Sequence, residues 1–331
     1  MTSQVKTILI KAMGNSEIGM GHIYRSISLA RELEKEFNVL FCINNNPQVK
    51  PLMPEQDMRY FTDRDVKSLI KSKMVDFLLF DQPGDHQELF ETLKAHSPRL
   101  KIVALDYFNY DNESVDVIIN LFNHNLQKSR PDRNSLQYYE GLEYAIIRKE
   151  FCPYILQKKK IHEEVNKVLV TFGGADPEEN TNKVLQILKM LEFPRVKIEV
   201  ILGPLWKGEL SKTLPSNIRF HYSVSPSLIV NFMAGADLAF CGAGTTMLEL
   251  LSLGVPTIVL PQNHREERFA FAVEQKGAIK IIKGDAGQED ISCICHLFTS
   301  CQERERLSHR SKSLVDGQGK KRIKKIIDHL L

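Results

Sequence analysis

The residues best suited to chemistry lie in short glycine-rich loops between apolar runs. The first is Gly19-Met20-Gly21-His22. Glycines at a strand-to-helix turn let a ligand approach the backbone, and the free N–H groups of a helix start attract anions. The loop is neither a dinucleotide fingerprint, lacking the third glycine, nor a Walker A loop, lacking Gly-Lys-Ser/Thr. His22 stands where the helix dipole disfavours the imidazolium, so its ring is suited to accept a proton near pH 7. It can equally be a histidine that only caps the helix. Arg25, at i+3, either reaches the same site or lies on a solvated face.

The richest segment is Cys241-Gly242-Ala243-Gly244-Thr245-Thr246-Met247-Leu248-Glu249-Leu250. Its glycines clear space, and the N–H groups and hydroxyls of Gly244 to Thr246 can surround a diphosphate. Glu249 can accept hydrogen bonds from two ribose hydroxyls. The spacing Thr246-x-x-Glu249 also fits a capping box with no ligand role. Phe172-Gly173-Gly174-Ala175-Asp176-Pro177 is either a second backbone cradle or a tight βα turn, with Asp176 as N-cap and Pro177 at N1 of a helix. Leu260-Pro261-Gln262-Asn263-His264-Arg265-Glu266-Glu267 follows a strand, as ligand contacts or as an exposed loop. Asp81 and Asp106 each end an apolar run, where either can orient His22 or touch substrate.

These segments need a scaffold of parallel strands. Nearly continuous apolar runs predict strands at 6–11, 38–43, 76–81, 101–106 and 115–120, with a helix opening at His22. A charged connection at 150–166 follows. The scheme then restarts, with strands at 167–172, 196–202, 218–221, 238–240 and 257–260 and a helix at 180–191. The alternation predicts two doubly wound α/β domains, 1–150 and 151–331, with a cleft between them. The last stretch, 303–331, reads as helical and basic, packing on either domain.

Composition bounds the function classes. The 331 residues hold 44 Lys plus Arg and 41 Asp plus Glu, a net charge of +3, which gives no basic footprint for nucleic acid. With 43% hydrophobic and 26% charged residues the chain is ordinary for a globular protein. Six scattered cysteines make no disulfide framework. Cys293, Cys295 and His296 lack a second ligand pair, which favours packing over metal. The clusters Asp63-Arg64-Asp65 and Glu303-Arg304-Glu305-Arg306 read as solvated charge faces. No signal peptide or membrane span is expected, so cytoplasm is the default. Residues 44–75 show no basic amphipathic helix for a lipid surface.

Together the segments resemble the PseG/SpsG family of nucleotide-sugar hydrolases, which share the GT-B fold with MurG-like glycosyltransferases. The resemblance rests on Ile18-Gly19-Met20-Gly21-His22-Ile23-Tyr24-Arg25 and Tyr144-Ala145-Ile146-Ile147-Arg148-Lys149-Glu150-Phe151. It continues through the two glycine-rich segments above, Gly254-Val255-Pro256 and Asn263. It implies a UDP-linked 2,4-diacetamido-2,4,6-trideoxyhexose as substrate, with His22 activating water at the anomeric carbon and UDP leaving with inversion. The free sugar would feed nonulosonic (pseudaminic) acid or surface polysaccharide synthesis. UDP would meet Gly173, Gly174, Gly242, Ala243, Gly244, Thr245, Thr246 and Glu249, with backbone near Val224 at the uracil. Gly21, Arg25, Asp81, Arg148 and Asn263 would serve the sugar side, with no metal or cofactor. Two positions depart from the family pattern. An Asp-x-Tyr is Asp81-Gln82-Pro83 here, and an Asp-Asp is Asp106-Tyr107. A GT-B glycosyltransferase and a non-catalytic nucleotide-sugar binder are the alternatives.

Overall fold

The structure is a computed structural model that describes residues 5–15, 19–43, 59–61, 66–71, 75–122, 136–210, 214–222 and 224–330. The charge cluster Asp63-Arg64-Asp65, residues 16–18 of the first loop and most of the 44–75 stretch lie outside them. The chain divides into two compact units. One comprises residues 1–15, 20–146 and 318–331, and the other 16–19 and 147–317.

The first unit is built on a seven-stranded parallel sheet. Its strands are β1 (Thr7–Ala12), β2 (Asn38–Ile43), β3 (Arg59–Phe61), β4 (Phe77–Asp81), β5 (Lys101–Leu105), β6 (Val117–Asn120) and β7 (Gln137–Glu140). Their order is β3-β2-β1-β4-β5-β6-β7. Every residue of β1 and β4 is buried, as a parallel strand covered on both faces requires. Helices α1 (Gly21–Leu33), α2 (Val66–Lys71) and α3 (Gln87–His96) make the crossovers. In α1 the apolar residues Ile23, Ile27, Ala30 and Leu33 recur at helical spacing, and all are buried. The sheet order reverses between β1 and β4, so the chain leaves them in opposite directions and opens a crevice at their carboxyl ends.

The second unit repeats the plan with six parallel strands. They are β8 (Lys167–Thr171), β9 (Lys197–Leu202), β10 (Ile218–Tyr222), β11 (Leu238–Cys241), β12 (Thr257–Val259) and β13 (Lys280–Ile281). The order β10-β9-β8-β11-β12-β13 places the reversal between β8 and β11. Its helices are α4 (Cys152–Ile155), α5 (Asn180–Met190), α6 (Pro226–Gly235), α7 (Thr245–Leu253), α8 (His264–Glu274), α9 (Gln288–Thr299) and α10 (Cys301–Leu314). Cys293 packs against this unit's core beside buried Leu297, as an apolar residue would.

The last helix, α11 (Gly319–Asp328), belongs to the first unit. It buries Ile323, Ile326 and Ile327, and Lys320 donates to Ser28 Oγ on α1 at 3.1 Å. Gly319 lies so close to the carbonyls of Tyr144 and Ala145 that a β-carbon has no room.

The structure departs from the local readings of the sequence in several places. Asp176-Pro177 does not open a helix. Asp176 turns the chain at a φ of 51°, α5 begins at Asn180, and the Asp176 carboxylate accepts from the N–H groups of Asn180 and Thr181 at 2.9 Å each. Thr246 and Glu249 form no capping box, because the N-cap of α7 is Gly244 and the Glu249 carboxylate points elsewhere. Strands β3, β7 and β13 were not expected. Arg304 is no solvated charge: it is fully buried.

Candidate active site

In the first unit, α1 follows β1, so His22 and Arg25 stand at the switch point. Asp81, the last residue of β4, is the adjacent strand's contribution. The Asp81 side chain is fully buried, and those of His22 and Arg25 are 12% exposed. Asp81 Oδ1 lies 2.7 Å from His22 Nδ1. Its Oδ2 accepts from Arg25 Nε and from Ser26 Oγ, both at 2.8 Å, and Arg25 Nη2 donates to Oδ1. Arg25 Nη1 continues to Asp106 Oδ2 at 2.6 Å. Arg25 Nη2 is also 3.1 Å from His22 Nδ1. A guanidinium only donates and a carboxylate only accepts. The shorter contact and the shared Oδ1 therefore assign a proton to Nδ1, donated to Asp81; in the neutral ring Nε2 is then the acceptor.

Asp81 and Arg25 hold each other charged. Burial alone would push the Asp81 carboxyl up, but Arg25 and His22 outweigh it and hold it well below the usual carboxylate range. Burial likewise disfavours the Arg25 cation, and Asp81 and Asp106 outweigh that. Asp106 adopts a left-handed φ of 51°, uncommon for a residue other than glycine. Fully buried Asn120 clamps the next residue. Its Oδ1 accepts from Tyr107 N–H at 3.0 Å, and its Nδ2 donates to Tyr107 O at 2.9 Å. Tyr107, one of the two departures, is buried too. Its hydroxyl donates to Asp85 Oδ1 at 2.9 Å, so it braces the loop that contains Pro83.

In the second unit, the loop after β8 and the loop after β11 meet at the other switch point. A β-carbon on Gly173 would stand 3.6 Å from Thr246 Oγ1. The Gly174 carbonyl accepts from Leu205 N–H at 2.8 Å, and Gly203 passes so close to Gly173 and Gly174 that only glycine fits. Helix α7 starts at Thr245, so the N–H groups of Gly244, Thr245 and Thr246 lie at its anion-attracting end. Ala243 is occupied: its N–H donates to Glu266 Oε2 at 2.9 Å, and so does that of Gln262. Burial pushes the Glu266 carboxyl up, and these backbone donors pull it back.

Glu249 is 3% exposed and carries an ion pair. Arg148 Nε donates to Oε1 at 2.6 Å and Nη2 to Oε2 at 2.9 Å. Burial raises the Glu249 carboxyl, and Arg148 opposes that rise.

The structure thus brings His22, Arg25 and Asp81 together beside Gly21, and separately Gly173, Gly174, Gly242, Ala243, Gly244, Thr245 and Thr246. It pairs Arg148 with Glu249. Asn263 caps α8, accepting from Glu266 N–H at 2.9 Å. Val224, half-buried, precedes the Ser225 cap of α6. Sequence reasoning missed Ser26, Asn120 and Glu266. Only Glu266 carried a signal, as an acid within the polar segment after β12.

No family model matches the chain. It is 25% identical over 342 residues to the spore coat polysaccharide biosynthesis protein SpsG of Bacillus subtilis, covering 97% of each. An uncharacterised protein of Methanocaldococcus jannaschii is 31% identical over 280 residues, 77% of this chain and 56% of that one. The pseudaminic acid cytidylyltransferase and UDP-2,4-diacetamido-2,4,6-trideoxy-β-L-altropyranose hydrolase of Helicobacter pylori is 25% identical over 191 residues, 56% of this chain and 34% of that one. The chain thus spans less than two thirds of these last two relatives. Among solved structures it is similar to Acinetobacter baumannii MurG, with a TM-score of 0.68 at 13% identity over 98% of this chain and all of that one. Phytolacca americana UGT2, complexed with UDP-2-fluoroglucose and pterostilbene, gives 0.67 at 13% identity over 99% of this chain and all of that one. The fold is GT-B.

Proposed function

We propose, for a chain that is SpsG- and PseG-like in sequence and GT-B in fold, that it hydrolyses a UDP-linked amino sugar. The observation that carries the reading is the His22–Asp81 pair at the β1/β4 switch point, in which Nδ1 is turned to Asp81. Nε2 takes a proton from water as the water oxygen bonds to the anomeric carbon. The glycosidic carbon–oxygen bond breaks, and its electron pair leaves with UDP. Asp81, held ionised by Arg25, stabilises the imidazolium that forms. Attack opposite the leaving group inverts the anomeric centre. The N–H groups at the start of α7 take the diphosphate, and their dipoles stabilise its charge as it departs. Glu249 takes the ribose, and backbone near Val224 the uracil.

The names of the Bacillus and Helicobacter relatives support a nucleotide-sugar substrate of surface-polysaccharide or pseudaminic acid type. The UDP-sugar in Phytolacca UGT2 supports the nucleotide. We place the activity in the cytoplasm, where nucleotide sugars are made. Among the described residues no helix is long and apolar enough to cross a membrane.

The test is incubation with a UDP-diacetamido-trideoxyhexose, followed by 31P NMR with and without acceptor. UDP release without acceptor is expected. Release only with an acceptor would make the protein a transferase, and UDP binding without release a binding protein.

A further inference from the structure

The Arg148–Glu249 pair asks for an explanation that helix capping does not supply. Glu249 lies beyond the first turn of α7, buried, with its carboxylate on Arg148 rather than on a backbone N–H of the helix start. Such a group is costly to keep charged unless a cation meets it. Arg148 meets it with two parallel donors, the geometry that fixes a carboxylate in direction as well as charge. The guanidinium is itself braced, its Cζ lying 5.2 Å from the centre of the buried Phe151 ring. The two bonds use one acceptor site on each carboxylate oxygen. A carboxylate offers about four such sites, so each oxygen keeps one. Two vicinal hydroxyls would use one on each.

We propose that Arg148 is a positioning residue for Glu249, and that the pair makes the nucleotide arm select a ribonucleotide over its 2′-deoxy counterpart. The inference rests on the reading that Glu249 faces the ribose. It moves Arg148 from the sugar side, where the family resemblance had put it, to the nucleotide side. Without Arg148 the buried carboxyl has no cation to keep it ionised and nothing to hold its plane. Hydrogen bonding to both hydroxyls is then lost, while the phosphate contacts at the start of α7 remain.

The experiment is calorimetric titration of the full chain with UDP and with 2′-deoxy-UDP, for wild type, Arg148→Met, Arg148→Lys and Glu249→Gln. Wild type is expected to prefer UDP by about tenfold or more, the effect of a lost hydrogen bond to a charged group. Arg148→Met and Glu249→Gln should weaken UDP most and 2′-deoxy-UDP less, since that ligand has only its 3′-hydroxyl for Glu249, and should have lost the preference; a circular dichroism spectrum like that of wild type shows that they are folded. The double variant should lose nothing further. Arg148→Lys, which restores charge without the two-donor fork, should recover only part of the preference. A variant of Arg148 that keeps the wild-type preference overturns the inference. So does Arg148→Lys losing affinity for both ligands by the same factor, since Arg148 would then be only structural. If Arg148→Met does not fold, Arg148→Lys decides alone. A wild-type protein that binds UDP with no preference removes the ribose role of Glu249. One that binds neither nucleotide removes the UDP reading itself.

Discussion

At the scale of single residues, the account depends on one proton and the carboxylate that holds it. His22→Ala should lower UDP release by about 10²–10⁴-fold, the range for a lost general base, with the dissociation constant for UDP unchanged. Asp81→Asn should cost about 10³–10⁴-fold in kcat, because the amide no longer fixes the Nδ1–H tautomer. It also leaves Arg25 with Asp106 alone of the two carboxylates that hold it. The expected loss is about 3–5 kcal/mol in urea unfolding at pH 7, the cost of breaking a buried pair. Its sign with pH follows from the depressed Asp81 carboxyl. The stabilisation is complete above the unfolded carboxyl pKa of about 3.9 and fades as pH falls toward the folded value. The gap between wild type and Asp81→Asn should therefore narrow below about pH 4. His22, Arg25 and Asp81 were legible because each sits at the edge of a periodic element. Asn120 was not, because a clamp across two strands on the residue after a left-handed one leaves no local pattern.

At the scale of elements, the glycine loops are shaped by what lies behind them. Gly203→Ala would overlap the carbonyls of Gly173 and Gly174. It should push that turn out of place and weaken UDP binding, with little effect on a His22-dependent pH profile; calorimetry and kinetics check both. Helix α9 ends on a buried cation. Arg304 donates to the carbonyls of Leu297 and Phe298 at 2.6 and 3.1 Å, and to those of His162 and Glu163 at 2.6 and 2.7 Å. Arg304→Met removes these four hydrogen bonds from a buried site and should destabilise by about 3 kcal/mol or more, read by chemical unfolding. In sequence Arg304 looked like one of four alternating charges, and only the fold distinguishes it. The strands at the sheet centres were legible as apolar runs, but β7 was not, because three of its four residues are half-buried and one exposed. The start of α5 misled for a related reason. Asp176 does cap that helix, but from four residues away rather than next to it.

At the scale of the molecule, the two units repeat one plan, and in each the candidate groups stand at the reversal of strand order. In sequence His22 and Gly242–Thr246 stood out by glycine-rich loops between apolar runs; the strand order that puts both at a reversal is visible only in the fold. What sequence left open was where the last basic stretch goes. Its helix α11 completes the first unit against α1, the helix that carries His22. Ending the chain at Gly317 would expose the surface that Ile323, Ile326 and Ile327 cover, at about 1.5–3 kcal/mol for each buried side chain. Amide exchange in α1 should accelerate accordingly, while that in β8 and β11 stays slow. The small net charge of +3 fits a protein that meets a diphosphate through backbone N–H groups rather than a basic surface.

The central claim is that water attacks carbon and that UDP leaves whole. Turnover of the UDP-linked sugar in 18O-labelled water, with 31P NMR of the product, tests it most directly. UDP released without acceptor and carrying no 18O on its β-phosphate is the predicted result. An 18O-shifted β-phosphorus signal, or no UDP released at all, would contradict it.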